Sequence, residues 1–312
     1  MLVGPSKCRN EDYIRINVKF ASRVVTLGHI LSYVPVPFRP FVAHLIYPPS
    51  DKRHLYNHLK PMIDERRTSL DSGSDTTVES DDYLKWLVEA TRNKPDDMDI
   101  VLRNMHMNFA SIHTTGLICT HMFYSIACNQ AWQTEIRDEA RHAMKEHGWT
   151  KKALEEMVKA DSFIKEVLRF HGVSSVALTR MAVKPFTFAD STTVPAGTMF
   201  CAASRAIHFD SAKWVQPEDF DPFRFCHAAR TELNGMVTTS YDFLAWGHGR
   251  YACPGRFFAS YELKAILAYA LVNYEIFLQG GGACPKIHWF VAACMPDSSA
   301  TLGFRRRPGG AT

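Results

Sequence analysis

Residues 246–259 read WGHGRYACPGRFFA, and this stretch decides how the rest of the sequence is interpreted. Gly247 and Gly249 permit a tight hairpin whose backbone can lie close to a flat ligand. Cys253 follows, and Pro254 stands where a helix can begin. A sulfur just before a helix amino terminus meets the positive end of the helix dipole, which favours a thiolate. Cys253 is therefore predicted to bind a metal, although a structural cysteine in a turn fits the same pattern.

A second informative stretch is DSFIKEVLRFHG, in which Glu166 and Arg169 are three residues apart. This spacing places both side chains on one face of a predicted helix. By itself such a pair also suits a surface ion pair. The stretch PEDFDPFRF, residues 217–225, then offers a second arginine, Arg224, as a partner.

A third stretch, FASIHTT at residues 109–115, lies midway along a predicted long helix. Ala110 and Ser111 are small enough for a ligand to approach the helix closely. His113 can carry a proton near neutral pH, and Thr114 offers a hydroxyl group. The alternative is that His113 and the threonines only bond to helix carbonyl groups.

These stretches, in their order along the chain, resemble the cytochrome P-450 family. The resemblance implies that Cys253 is the axial ligand of haem b, iron protoporphyrin IX. Trp246 replaces the usual phenylalanine, and Tyr251 replaces a basic residue that faces a haem propionate, where a phenol can still donate a hydrogen bond. The positions implied to contact haem are Ala110, Arg180, Trp246, Gly247, Gly249, Tyr251 and Gly255.

The resemblance also implies roles away from the hairpin. Glu166, Arg169 and Arg224 are expected to form a buried charged triad that fixes the loop leading to the cysteine. Removing one member would leave the others unpaired, at a cost of roughly 3–5 kcal/mol. Thr114 is expected to organise proton delivery as a catalytic residue, and His113 takes the place of the family's acid.

The segment after the Glu-Arg helix is predicted to be a strand. By the same resemblance Val173, Val176 and Ala177 line the substrate side of the haem, and Arg180 pairs with a propionate. Plain strand core and a surface arginine are the alternatives.

The composition sets limits on partners and compartment. The 312 residues are 46% hydrophobic, enough to bury a core, and 36 basic against 32 acidic side chains argue against nucleic acid as a partner. Eight cysteines without a CxxC pair or regular spacing make a disulfide framework unexpected. A reducing, intracellular compartment fits better, and Cys284 is predicted to lie in an ordinary turn.

The predicted fold is mainly α with a minor β part (α+β), one incomplete cytochrome P-450 domain over residues 1–312. Residues 1–66 resemble the helices that cap the substrate channel, residues 68–82 are polar and small and predict a flexible loop, and residues 96–312 form the haem-binding core. Family members are longer, so the amino-terminal β-rich lobe and the membrane anchor are expected to be missing.

The function implied is a haem-thiolate monooxygenase that inserts one oxygen atom from O2 into a C–H bond. The flanking residues most resemble fungal enzymes, so the expected substrate is a small apolar secondary metabolite such as a terpenoid or indole-diterpenoid. Electrons would come from NADPH through a cytochrome P-450 reductase. The alternatives are a truncated remnant without turnover and a non-haem helical binding protein.

The membrane is expected to be touched rather than crossed. Residues 24–49 are apolar but carry charged residues and prolines, and no stretch of about 18 apolar residues occurs. Peripheral membrane contact is predicted. The protein is expected at the surface of the endoplasmic reticulum if the full-length family pattern holds, and otherwise in the cytoplasm.

Overall fold

The computed structural model describes residues 2–46, 49–72, 82–226, 235–281 and 284–308. The helices are α1 (Pro5–Cys8), α2 (Glu11–Ser32), α3 (Arg39–Ile46), α4 (Pro49–Ser72), α5 (Tyr83–Ala90), α6 (Asp97–Ala127), α7 (Gln130–His147), α8 (Lys151–Glu156), α9 (Val158–Phe170), α10 (Ser204–His208) and α11 (Arg256–Asn273). The strands are β1 (Ala177–Met181), β2 (Phe186–Thr187), β3 (Thr193–Val194), β4 (Met199–Ala202), β5 (Tyr274–Leu278), β6 (His288–Phe290), β7 (Ala293–Met295) and β8 (Leu302–Arg306). The mainly helical prediction with a minor β part is confirmed.

The chain forms two compact units, Met1–His113 and Thr114–Thr312, and their boundary falls inside α6. The sequence predicted one incomplete domain with a core beginning at residue 96. That domain organisation stays a prediction, and the division into units reflects two separate apolar clusters to which α6 supplies side chains. Ile100 and Val101 belong to the first cluster, whereas Ile118 and Met122 belong to the second.

The first unit is helical and has a polar network at its centre. The Asn10 side chain accepts a hydrogen bond from the Tyr13 amide at 2.8 Å and so caps α2. The Tyr13 hydroxyl donates to Asn104 at 3.0 Å, and the Asn108 amide donates to the Tyr13 oxygen at 3.1 Å. Around this network lie the buried apolar residues of α4 and α5, namely Leu55, Leu59, Ile63, Leu84, Leu87 and Val88.

Residues 68–72 of the flexible loop predicted at residues 68–82 are helical. Helix α4 continues to Ser72, because polarity alone does not end a helix and the first glycine of the stretch is residue 73. Asp82 caps α5 by accepting from the Lys85 amide at 2.9 Å. It is also ion-paired with Arg66 at 2.5 Å, and both side chains are buried. The remainder of that prediction, residues 73–81, lies outside the described residues.

An exposed apolar segment runs from the second half of α2 to α3. Its large exposed side chains are Val25, Ile30, Tyr33, Val36, Phe38, Phe41 and Leu45. A short 3-10 turn at Val36–Phe38, preceded by Pro35, interrupts the helices. Within the described ranges, none of the helices combines the length and the apolar composition that crossing a membrane requires.

The second unit packs α7, α8, α9 and α11 around one apolar cluster. Helix α9 is buried almost all round from Ala160 to Arg169, and α11 contributes Leu263, Leu267 and Leu271. Small antiparallel ladders pair β1 with β4, β2 with β3, β5 with β8 and β6 with β7. The helices therefore supply most of the core, and β5 adds the buried Ile276.

One pair of cysteines corrects the sequence prediction. Cys128, just after α6, and Cys284, before β6, form a disulfide, with their Cα atoms 5.7 Å apart. Cys284, which was predicted to lie in an ordinary turn, is thus covalently linked to Cys128. Spacing did not indicate the pair because 156 residues separate its members along the chain.

Candidate functional site

The hairpin that carries Cys253 has a defined backbone geometry. A 3-10 turn covers Gly249–Tyr251, the Cys253 amide donates to the Trp246 carbonyl oxygen at 2.7 Å, and α11 starts three residues after the cysteine. The thiol is half-buried and is not in a disulfide. A turn of this kind presents one sulfur at the amino terminus of a long helix.

The glycines of the hairpin are required by backbone conformation. Gly247 and Gly249 have φ values of 70° and 67°, in the left-handed region that side chains disfavour. A Cβ atom at Gly247 would also lie 3.6 Å from the Tyr251 carbonyl oxygen and 3.8 Å from the Leu178 side chain. The predicted approach of a flat ligand to this backbone stays a prediction, and among protein groups Leu178 of β1 contacts the hairpin at Gly247.

Trp246 anchors the hairpin to α9 through a chain of hydrogen bonds. Its indole N–H donates to the Met236 carbonyl oxygen at 2.7 Å. The Met236 amide donates to an Asp161 carboxylate oxygen at 2.7 Å, and Lys264 of α11 pairs with the other Asp161 oxygen at 3.1 Å. Asp161 thus ties α9, the hairpin and α11 together, a role that the sequence analysis did not identify.

Arg256, the first residue of α11, holds the cysteine from the other side. Its guanidinium donates to the Cys253 carbonyl oxygen at 2.7 Å and to the Val237 carbonyl oxygen at 3.1 Å. Carbonyl oxygens of two loop segments therefore converge on one cation. The arginine was visible in the sequence motif, but its partner at residue 237 was not.

The three predicted triad residues are in contact. Arg169 is bidentate to Glu166 at 2.7 and 2.8 Å, and the Arg224 Nε lies 3.1 and 3.2 Å from the two Glu166 oxygens. Glu166 and Arg169 are completely buried. Arg169 also donates to the carbonyl oxygens of His208 and Pro217 at 2.6 and 3.0 Å. The network holds the 217–225 loop against α9.

His208 joins α9 to the segment that precedes the hairpin. Its Nδ1 lies 3.1 Å from the Arg169 carbonyl oxygen, and the Leu244 amide donates to its Nε2 at 2.9 Å. A carbonyl must accept and an amide must donate, so the imidazole is neutral with its proton on Nδ1. Burial lowers the pKa of His208 to about 4, in agreement with that state.

Arg180 and Tyr251, both expected at the haem propionates, lie against each other. The guanidinium carbon is 4.6 Å from the centre of the Tyr251 ring, and the tyrosine is 70% exposed. A break in the pairing of β1 with β4 between Ala177 and Arg180 brings this part of β1 beside the hairpin. The pair offers one cation and one hydroxyl on the same exposed surface.

The three residues expected on the substrate side of the haem differ in their packing. Val176 and Ala177 are half-buried, at and before the start of β1. Val173 precedes β1 and packs against the apolar cluster of the second unit.

The residues expected beside dioxygen lie on α6. Ala110 and His113 belong to the first unit, whereas Thr114 begins the second. Ala110 and Thr114 are exposed and four residues apart, hence on one helix face. The His113 Nε2 is buried, and no hydrogen-bond partner for it occurs among the described residues. The alternative of bonding to helix carbonyls is therefore not met at this nitrogen.

The donor set at Cys253 suits a haem. Among the residues that the structure describes, Cys253 belongs to no group of three potential metal ligands. Iron in a porphyrin suits such a sulfur, because the porphyrin supplies the other donors. The exposed Arg180 and Tyr251 match the carboxylates of haem, and exposed Phe257 and Phe258 follow the cysteine.

Comparison with known proteins agrees with this chemistry. A family model described as Cytochrome P-450 matches residues 17–304. The chain belongs to the cytochrome P-450 family. This confirms the resemblance drawn from the three sequence stretches.

Fungal cytochromes P-450 are similar over nearly the whole chain. A Postia placenta protein, Cytochrome P-450 monooxygenase 71, is 39% identical over 98% of this chain and 63% of its own length. Cytochrome P-450 monooxygenase paxQ from Penicillium paxilli is 32% identical over 98% of the chain and 60% of its own length. Ent-kaurene oxidase from Fusarium fujikuroi is 32% identical over 98% and 59%. This cytochrome P-450 chain thus spans about three fifths of the relatives that it matches.

A buried cluster outside the hairpin was not predicted. His121 and His171 stack with ring centroids 4.5 Å apart, and the Cys294 sulfur lies 3.7 Å from the His121 Nε2. Burial lowers the pKa of His121, lowers that of His171 to about 3 and raises that of the Cys294 thiol to about 11. All three groups are therefore neutral at pH 7 and pack as part of this cytochrome P-450 core.

Proposed function

We propose that this chain forms the haem-binding part of a monooxygenase that inserts one oxygen atom from O2 into a C–H bond of an apolar secondary metabolite. The observation that carries the proposal is Cys253, a single half-buried thiol on a glycine hairpin at the start of α11. The family match over residues 17–304 supports it.

Cys253 would bind haem b through its sulfur. Haem bound through a thiolate supplies dioxygen activation, because electron donation from sulfur favours cleavage of the O–O bond. Trp246 and Arg256 hold the cysteine backbone, so they orient the sulfur. Arg180 and Tyr251 would bind the haem carboxylates by a charge-assisted contact and a phenol hydrogen bond.

Two residues of α6 would handle protons. Thr114 would hold a proton at its hydroxyl oxygen, and His113 would pass one through its Nε2. Within the described ranges this buried nitrogen has no protein partner. It can therefore bond to a water molecule or exchange a proton with the Thr114 hydroxyl group. A buried polar atom without a partner is costly, which favours a functional reason for it.

The substrate class is proposed from side chains and relatives together. Val176 and Ala177 offer small apolar surface and no charge that would favour a polar substrate. One relative is named for the oxidation of ent-kaurene. A terpenoid or indole-diterpenoid is the substrate class that we propose, with Val173 as a third apolar residue of the same segment.

The electron source and the membrane contact are proposed by analogy with the family. Insertion of one oxygen atom while the other leaves as water needs two electrons, which we propose come from NADPH through a cytochrome P-450 reductase. The exposed apolar segment between Val25 and Leu45 would lie on a membrane surface, as at the endoplasmic reticulum. Its aromatic side chains suit the interface between lipid and water.

The test is ligation by sulfur. The chain loaded with haem, reduced and exposed to CO should show the red-shifted absorption band of thiolate ligation, and Cys253→Ser should abolish it. Cys201→Ser is the matched control, because Cys201 is an exposed free cysteine outside the hairpin, and it should keep the band. A thiolate band that persists in Cys253→Ser would refute the proposal.

A further inference from the structure

Three side chains of the first unit converge without a role in the haem site. Asp12 lies in the first turn of α2, and His54 and His58 lie one helical turn apart on α4. The Asp12 Oδ2 is 2.8 Å from the His58 Nε2 and 3.0 Å from the His54 Nε2. Two imidazoles four residues apart on one helix and a carboxylate from another helix thus point at one place.

The separations fit a shared metal ion. Zn²⁺ binds imidazole nitrogen and carboxylate oxygen at about 2.0–2.2 Å, so neighbouring ligand atoms around one ion lie roughly 3 Å apart. The nitrogen-to-oxygen distances of 2.8 and 3.0 Å match this separation, and the three ligand atoms all lie within 4.8 Å of one another. An ion can therefore enter with small side-chain movements.

The site is accessible to a metal ion, and Asp12 supplies a negative charge. His54 is about half exposed and His58 largely covered, with side-chain exposures of 53% and 16%, so an ion can enter from one side. Hydrogen bonds from Arg15 and His58 lower the pKa of Asp12 to about 2, which leaves its carboxylate ionised at neutral pH. The cation that opposes metal binding is Arg15, which is 77% exposed and can turn into solvent.

The buried cluster of His121, His171 and Cys294 is the less suitable of the two. Its sulfur would have to lose a proton from a thiol whose pKa is about 11, whereas Asp12 already carries its charge. The face-to-face stacking of its two rings, with planes only 10° apart, also directs their lone pairs along parallel planes. An ion would have to reorient at least one ring.

We propose that Asp12, His54 and His58 bind a divalent transition-metal ion such as Zn²⁺, with water in the open coordination positions. The ion replaces the protons that the imidazoles otherwise donate to the carboxylate. Because the ligands come from α2 and α4, the bound ion links these two helices and stabilises the first unit by mass action.

The test uses Co²⁺ and Zn²⁺ with the whole chain. One equivalent of Co²⁺ should bind and give visible d–d absorption without a sulfur charge-transfer band, because the ligands are nitrogen and oxygen. His54→Ala, His58→Ala and Asp12→Asn should each weaken Zn²⁺ binding at least about tenfold. His106→Ala, an exposed histidine on α6, is the matched control and should bind Zn²⁺ like the wild type.

Two results would overturn the proposal. The first is Zn²⁺ affinity of the His54→Ala, His58→Ala double variant equal to that of the wild type. The second is a Co²⁺ complex dominated by a sulfur charge-transfer band, which would assign binding to a cysteine. Circular dichroism of each variant establishes that it is folded, and Asp12→Asn preserves side-chain shape. Haem binding at Cys253 is measured separately, so failure here leaves the monooxygenase proposal untouched.

Discussion

The two compact units differ in how polar groups hold them together. In the second unit Glu166, Asp161 and His208 connect elements that lie 36 to 103 residues apart, each through a charge or a neutral imidazole. In the first unit the central network is mostly neutral, built from one tyrosine and asparagine side chains. Charge-assisted bonds are shorter and more directional than neutral ones. The first unit has such a bond too, in the buried Arg66–Asp82 pair, but those of Glu166 and Asp161 in the second unit join segments farther apart along the chain.

The units also differ in what they leave exposed. The first unit presents a run of large apolar side chains between Val25 and Leu45. The second exposes Tyr251, Phe257 and Phe258 around the cysteine hairpin. Exposed apolar surface of this kind marks a binding site, and the two surfaces are proposed to meet different partners, a membrane and a haem.

The largest expected effect tests the charged contacts. Glu166→Gln should lower the free energy of unfolding by about 3–5 kcal/mol, because two guanidinium groups lose their counter-charge in a buried site. Asp82→Asn in the first unit should cost less, about 1–3 kcal/mol, since it leaves one guanidinium unpaired. Urea unfolding of both variants measures the difference. Equal losses would show that the two units do not differ in this respect.

Acid should act on the second unit first. The pKa of His208 is about 4 in the folded chain against an ordinary 6.5, so between these values the folded state binds fewer protons than the unfolded state. The contribution of His208 to the free energy of unfolding should be constant above pH 6.5 and fall by up to about 3 kcal/mol as the pH drops to about 4. For Asp12, whose pKa is lowered from 3.8 to about 2, stability is lost only as the pH falls through that lower window.

The measurement is urea unfolding at several pH values between 7 and 4. His208→Gln should flatten the pH dependence, although His171 retains its own contribution. A variant that keeps the full wild-type dependence would show that His208 is not the group that titrates.

The exposed apolar segment of the first unit should contribute to membrane binding and not to stability. Phe41→Ser should weaken partition into vesicles of mixed neutral and anionic lipids by about tenfold, because a phenylalanine contributes roughly 1.5–3 kcal/mol when it is buried. Phe186→Ser, at an exposed position on β2, is the control and should have no effect. Sedimentation with vesicles measures both, and equal partition of wild type and Phe41→Ser would contradict the expectation.

The smallest expected effect concerns the tie between Trp246 and Met236. Trp246→Phe restores the aromatic residue usual in the family but removes the hydrogen bond to the Met236 carbonyl, which should cost about 1 kcal/mol. Trp149→Phe, at a half-exposed position, should leave the urea midpoint unchanged. If both variants unfold at the wild-type midpoint, the hairpin is held by apolar packing instead.

Much of the fold was predictable because it depends on local pattern. The long helix starting near Asp97, the minor strand content and the helix after Cys253 were all expected. The end of α4 was misplaced because a polar composition was taken as a loop, whereas a solvated helix face can be equally polar. The disulfide and the unit boundary were not expected, since both depend on residues far apart in sequence.

The site was predictable where a motif names the residues. Glu166, Arg169 and Arg224 were selected together, and their side chains are in contact. The roles of Thr114, His113 and Cys253 stay predictions. Asp161 was missed although it is the first residue of the stretch DSFIKEVLRFHG. Its partner is the backbone amide of residue 236, and backbone amides carry no sequence signal.

What the sequence alone determined is the local geometry around Cys253. Glycines 247 and 249 permit left-handed backbone angles, and the residues after Pro254 favour a helix, so steric rules acting over a few residues direct the sulfur. Only the tertiary structure decided which distant groups meet: His208 with Leu244, and Asp12 with the histidines of α4. Contacts of this kind arise from packing whole helices and loops together, and separation along the chain does not encode distance in space.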